Sequence, residues 1–113
     1  MTLKDKALDF LKTHQPNLCV LSTASKSGIS ESAVMAYTVK IDGTCVLSTH
    51  AGTRKIRNMR ENPQISLVCG WAINELTLQA NGNASLIENG PEYTEPKTFF
   101  YSLNPQAAKY FYS

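Results

Sequence analysis

Residues 29–41 alternate: Ala33, Met35, Tyr37, Val39 and Ile41 fall on one parity, and Ser30, Ser32, Thr38 and Lys40 on the other. A period of two belongs to a β-strand with one buried and one wet face, because successive side chains leave a pleated chain on opposite sides. Asp42-Gly43 follows at once, a dipeptide that tight hairpins favour because both positions tolerate positive φ. The strand is therefore predicted to fold back onto residues 44–49. An isolated hairpin is marginal in water, so this one needs further strands to cover its apolar face.

The chain supplies them. Residues 18–24 read as a strand, closed by a Ser25-Lys26-Ser27-Gly28 turn. Residues 64–71 place Ile65, Leu67, Cys69 and Trp71 on one face; after a short loop at 72–75, residues 76–87 alternate Leu76, Leu78, Ala80, Gly82, Ala84 and Leu86 with polar residues. Gly82 within a strand predicts a bulge or a close backbone approach. Two helices are predicted. The first covers residues 2–14, with Leu3, Ala7, Leu8, Phe10 and Leu11 at helical spacing, a capping-box pattern in Thr2 and Asp5, and Pro16 as its stop. The second covers residues 53–61, with Thr53 as N-cap. Five strands joined mostly by hairpin links, with the second helix between strands 3 and 4, predict a mainly β fold with flanking helices: a small antiparallel barrel, which leaves few exposed edges.

The tail is read as helical. Pro96 stands where an N1 residue would open a helix over residues 97–103, and Asn104-Pro105 would start another. Phe99, Phe100, Tyr101, Tyr110, Phe111 and Tyr112 would then pack as helical residues against the barrel.

At 113 residues there is room for one core, so residues 1–113 are expected to form a single domain. No apolar run approaches the roughly 20 residues of a membrane span, and Lys4, Asp5, Lys6, Asp9 and Lys12 interrupt any leader-like apolar stretch. The expected location is cytoplasmic, with no membrane partner. A net charge of +2 is too small to argue for nucleic acid. Cys19, Cys45 and Cys69 each sit inside a predicted strand and lack metal-site spacing, so buried reduced thiols are expected and no metal is called. Neither His14 nor His50 has a carboxylate or Cys neighbour in sequence that would give it a metal or catalytic role.

The chemistry gathers after the third strand. There Ser48-Thr49 runs through a Gly52 turn into Thr53-Arg54-Lys55, the start of the second helix. Two cations in a first turn face the positive end of the helix dipole, at a cost of roughly 0.3–1 kcal/mol each unless an anion compensates. Free N–H groups, a hydroxyl, a guanidinium and an ammonium together suit a phosphate.

Strand, Ser-Thr, Gly turn, Thr53-Arg54-Lys55, helix and then Asn62-Pro63-Gln64-Ile65-Ser66-Leu67-Val68 leading to Trp71 resembles the FMN-binding split barrel of the pyridoxamine 5′-phosphate oxidase-like superfamily. The resemblance runs from the first helix to about Glu88. It implies an antiparallel split β-barrel that binds FMN at a homodimer interface. Thr53, Arg54 and Lys55 would hold the phosphate, Ser48 and Thr49 would lie along the ribityl chain, and Val34, Met35 and Ala36 would meet the isoalloxazine. The B6 oxidases of that family carry Arg and Lys where Ala33 and Thr38 stand here, so the resemblance implies a smaller relative with another substrate. The expected function is an FMN-dependent oxidoreductase whose substrate and catalytic residues are unassigned. The alternative is a non-enzymatic flavin- or haem-binding module on the same barrel. A nucleic-acid binder using Arg54, Lys55, Arg57 and Arg60 is disfavoured, because those cations wrap around the helix instead of aligning.

Overall fold

The alternation of residues 29–41 becomes two strand segments in the computed structural model, which describes residues 3–40, 43–50, 52–73, 75–87 and 98–112, the last of these by its backbone. Element order is α1 (Leu3–Thr13), β1 (Leu18–Ala24), β2 (Ser30–Ala36), β3 (Thr38–Val39), β4 (Cys45–His50), α2 (Arg54–Glu61), β5 (Gln64–Cys69), β6 (Leu76–Ile87) and β7 (Thr98–Tyr112). The predicted parity holds through the break: Met35 and Tyr37 are buried, Ala33 and Val39 half-buried, and Ser32, Val34, Ala36 and Thr38 exposed. Ile41, Asp42 and Thr2 lie outside the described residues. On either side of the predicted turn, Lys40 donates to the Thr44 carbonyl (2.8 Å) and Gly43 takes φ +93°.

The strands form one antiparallel sheet in the order β2-β1-β5-β6-β7-β4-β3. Its two end strands, β2 and β3, are separated in the chain only by Tyr37. The sheet thus curls until its ends are consecutive pieces of one bent strand, which is how a small barrel disposes of exposed edges. Tyr37 sits at the corner, 3% exposed, and its hydroxyl donates to the Leu11 carbonyl at 2.7 Å. Asn17 braces the same corner by donating from Nδ2 to the Tyr37 carbonyl (2.7 Å). These contacts hold α1 against the barrel, where Ala7 and Leu11 join a core built from Cys19, Leu21, Leu47, Leu67 and Leu78.

The tail departs from the sequence reading. Residues 98–112 are not helical but form β7, paired with β4 (Leu47↔Tyr101) on one side and with β6 (Ala80↔Ala108) on the other. A physical reason is visible in the order of strands. Without β7, both β4 and β6 would present unpaired backbone groups, and the barrel would stay open between them. The aromatic run that suggested helical packing suits a strand better, because aromatic side chains are favoured on a pleated surface. Pro105 is accommodated at an irregularity: the register shifts between Asn81 and Gly82, with Gln106 as the extra residue opposite. This is the bulge that Gly82 predicted.

Trp71 also departs. β5 stops at Cys69, Gly70 takes φ +82°, and Trp71 is turned out to 54% exposure and leaves the apolar face of Ile65, Leu67 and Cys69. All three cysteines are buried free thiols, as expected. Burial pushes the Cys19 thiol up to about 12 and the Cys45 thiol up to about 11, with the neighbouring thiols adding to the shift. Neither described helix is long and apolar enough to cross a membrane.

Candidate functional site

The second helix starts where the sequence places it. Thr53 occupies the N-cap position with extended backbone (φ −79°, ψ 156°), but its side chain makes no capping hydrogen bond. The first turn carries Arg54 and Lys55 at the positive end of the helix dipole. On its inner side α2 is anchored by Ile56, Asn58 and Met59, all buried. Asn58 donates from Nδ2 to Thr23 Oγ1 on β1 at 3.1 Å, a buried bond that fixes the helix over the open end of β1.

Arg54 and Lys55 line a cavity of about 220 Å³ with Leu21 and Thr23 of β1 and Glu31, Ser32 and Ala33 of β2. The sheet register accounts for the meeting: Leu21 pairs with Ala33 and Thr23 with Glu31, so inward-facing residues of the two strands converge beneath the helix start. Within this cavity Glu31 Oε2 lies 3.3 Å from Arg54 Nε, in an ion pair whose arginine side chain is 72% exposed.

The remaining predicted site residues are spread around this centre. Thr53 lines a second cavity, about 370 Å³, with Gly52, Ile56, Arg57, Arg60 and Glu61. Val34 and Ala36 are exposed further along β2, whereas Met35 points into the core. Ser48 is exposed and Thr49 half-buried on β4. Glu31, Thr23 and Asn58 were not foreseen. Glu31 could have been found from its parity, since it continues the inward series of Ala33 and Met35.

His14 has a carboxylate neighbour after all. Its Nδ1 lies 3.0 Å from Glu75 Oε1, its ring stacks on Phe10 (centroids 5.1 Å apart), and Glu75 Oε2 accepts from the Ala72 amide. Sixty-one residues separate the pair, so no local pattern could show it. The arrangement ties the end of α1 to the loop between β5 and β6. Among the described residues, no three of His, Cys, Asp and Glu gather as metal ligands would.

Fold comparison places the barrel among solved structures. A protein of unknown function from Agrobacterium tumefaciens superposes with a TM-score of 0.81 at 21% identity, over 96% of this chain and 55% of that one. HutZ, the haem storage protein of Vibrio cholerae, gives 0.76 at 16% identity over 99% and 95%. A pyridoxamine 5′-phosphate oxidase-related, FMN-binding protein of Nostoc punctiforme gives 0.75 at 10% identity over 94% and 80%. At these identities the likeness is one of fold. No curated protein matches the sequence. The family model for pyridoxamine 5′-phosphate oxidase, however, matches residues 3–108, nearly the whole length. The chain belongs to the pyridoxamine 5′-phosphate oxidase family.

Proposed function

We propose that the chain binds FMN by its phosphate at Arg54 and Lys55, that two copies complete the flavin site, and that the assembly is an FMN-dependent oxidoreductase of unassigned substrate. One observation carries the reading: two cations at a helix start share a cavity with the inward face of β1 and β2 in a chain of this family. The donor set suits the group. A phosphate offers three acceptor oxygens and nearly two negative charges, matched by a guanidinium, an ammonium and backbone N–H groups. The cavity is smaller than the roughly 300–1,000 Å³ of ordinary small-molecule sites, so it takes the phosphate end and not the ring.

The ring would lie outside that cavity, along the exposed Val34 and Ala36 backed by Met35, with Ser48 and Thr49 toward the ribityl hydroxyls. A second copy would cover it. Exposed Ile29, Val34, Trp71 and Ile73 provide apolar surface for such pairing. Bound FMN supplies the capacity to accept and donate electrons; the chain anchors the phosphate, orients the ring and keeps water from it.

Mass spectrometry of the small molecules released on denaturation tests the cofactor. FMN is expected. Haem in its place would move the chain to the non-enzymatic binding reading that the likeness to HutZ offers, and a colourless protein that binds no added FMN would remove the proposal. Arg54→Ala tests the site. A charge-assisted contact worth about 1.5–3 kcal/mol predicts about a ten- to hundredfold loss of FMN affinity, with a much smaller loss for riboflavin, which lacks the phosphate. Equal losses would mean that Arg54 does not hold the phosphate.

A further inference from the structure

A carboxylate is out of place in a phosphate cradle, yet Glu31 lines the same cavity as Arg54 and Lys55. Its position is dictated by the strand. Pairing with Thr23 puts it at a half-buried register of β2, in the parity of Ala33 and Met35, and within the cavity lined by the start of α2. Its Oε2 reaches Arg54 Nε at 3.3 Å. Both partners are substantially exposed, with side chains 72% and 35% accessible, so the pair is the kind that contributes little and rehydrates readily when parted.

We propose that Glu31 is an internal counter-ion for the cradle: it holds Arg54 while no anion is bound, yields the guanidinium to an incoming phosphate, and thereby sets how strongly a phosphorylated flavin is preferred over its dephosphorylated form. The inference rests on the reading of Arg54 as a phosphate ligand. The direction of exchange follows from charge. A phosphate dianion brings more charge and more acceptor oxygens than one carboxylate, and it can draw on Lys55 as well. Glu31 still opposes it twice, first by competing for Arg54 and then, once displaced, by like-charge repulsion across a small cavity. Both effects act on the phosphate and neither on the ring. Glu31 is thus a specificity-determining residue that lowers affinity for FMN and leaves riboflavin untouched.

The experiment is FMN and riboflavin titration, followed by flavin fluorescence, of the wild type, Glu31→Gln, Arg54→Ala and the double variant, each stripped of cofactor. Glu31→Gln keeps the size and loses the charge. It is expected to tighten FMN roughly two- to fivefold, the range of an exposed ion pair, with no change for riboflavin. The gain should shrink as ionic strength rises from about 0.05 M to about 0.5 M, and in the Arg54→Ala background it should fall to the part that like-charge repulsion alone supplies. Unchanged or weakened FMN binding by Glu31→Gln, or an equal gain for riboflavin, overturns the proposal. The two readings fail differently. If Arg54→Ala selectively costs FMN while Glu31→Gln does nothing, only the counter-ion is wrong. If Arg54→Ala costs both ligands alike, the phosphate site falls and the counter-ion with it.

Discussion

Asn58 shows how a single buried amide positions chemistry that it does not touch. It is 4% exposed in the middle of α2, and its bond to Thr23 Oγ1 is a polar link between that helix and β1. Asn58→Ala leaves the Thr23 hydroxyl without this donor and is expected to cost about 1–3 kcal/mol in urea unfolding. It should also weaken FMN binding, because Arg54 and Lys55 ride on the same helix. The buried thiols set a second residue-level expectation. A thiol whose folded pKa is raised stays protonated after the unfolded thiol has ionised, so the unfolded state binds fewer protons and stability falls as pH rises. An ordinary thiol titrates near 9.0, whereas burial pushes Cys19 and Cys45 up to about 12 and 11. Stability should therefore be level below pH 9 and decline from about pH 9 to 11, measured by urea midpoints across that range. A midpoint that rises through this window would contradict the burial of these thiols.

At the scale of elements, the end of β5 tolerates no added side chain without a shift of its neighbours. Gly70 has φ +82°, and a Cβ there would run into the Leu76 carbonyl oxygen and lie 2.9 Å from the Phe10 ring. The same residue accepts a 2.6 Å hydrogen bond from Thr77 Oγ1 through its carbonyl, which closes the β5–β6 loop. Gly70→Ala is expected to cost at least about 2 kcal/mol, from left-handed strain plus a backbone clash that no rotamer relieves. Gly28→Ala is the control. It shares the positive φ but has nothing within 4 Å of the added carbon, so it should cost about 1 kcal/mol and no more. Comparable losses at both sites, by thermal or urea unfolding, would show that the backbone around Gly70 moves aside.

On the scale of the whole molecule, the proposed flavin site extends beyond one barrel. The cavity at Arg54 and Lys55, about 220 Å³, is smaller than an ordinary small-molecule site, and exposed apolar residues such as Val34 and Ile73 lie outside it. The proposed second copy would meet both conditions. Light scattering is expected to give a dimer mass for the FMN-loaded protein, and a monomer with FMN fully bound would refute the shared site. The link should show in mutants too: a charge at Val34, as in Val34→Glu, should reduce dimerisation and flavin content together.

Much of the frame was legible in the sequence because it depends on neighbours along the chain. The period of two in β2, β5 and β6, the Gly28 and Gly43 turns, the Gly82 bulge and the start of α2 are all local, and steric rules act on them wherever the segment lies. The basic first turn of α2 was legible for the same reason. What tertiary structure alone decided depends on distance in the chain. Residues 98–112 became a strand because β4 and β6 both needed a partner there, a demand that outweighs the local propensity around two prolines. Trp71 turned outward because Gly70 passes under Leu76 and Phe10. The pairings Glu31–Arg54, His14–Glu75 and Asn58–Thr23 join residues 23, 61 and 35 positions apart, and only the closing of the barrel brings them within reach. The sequence alone could place cations at a helix start; the fold decided which carboxylate faces them.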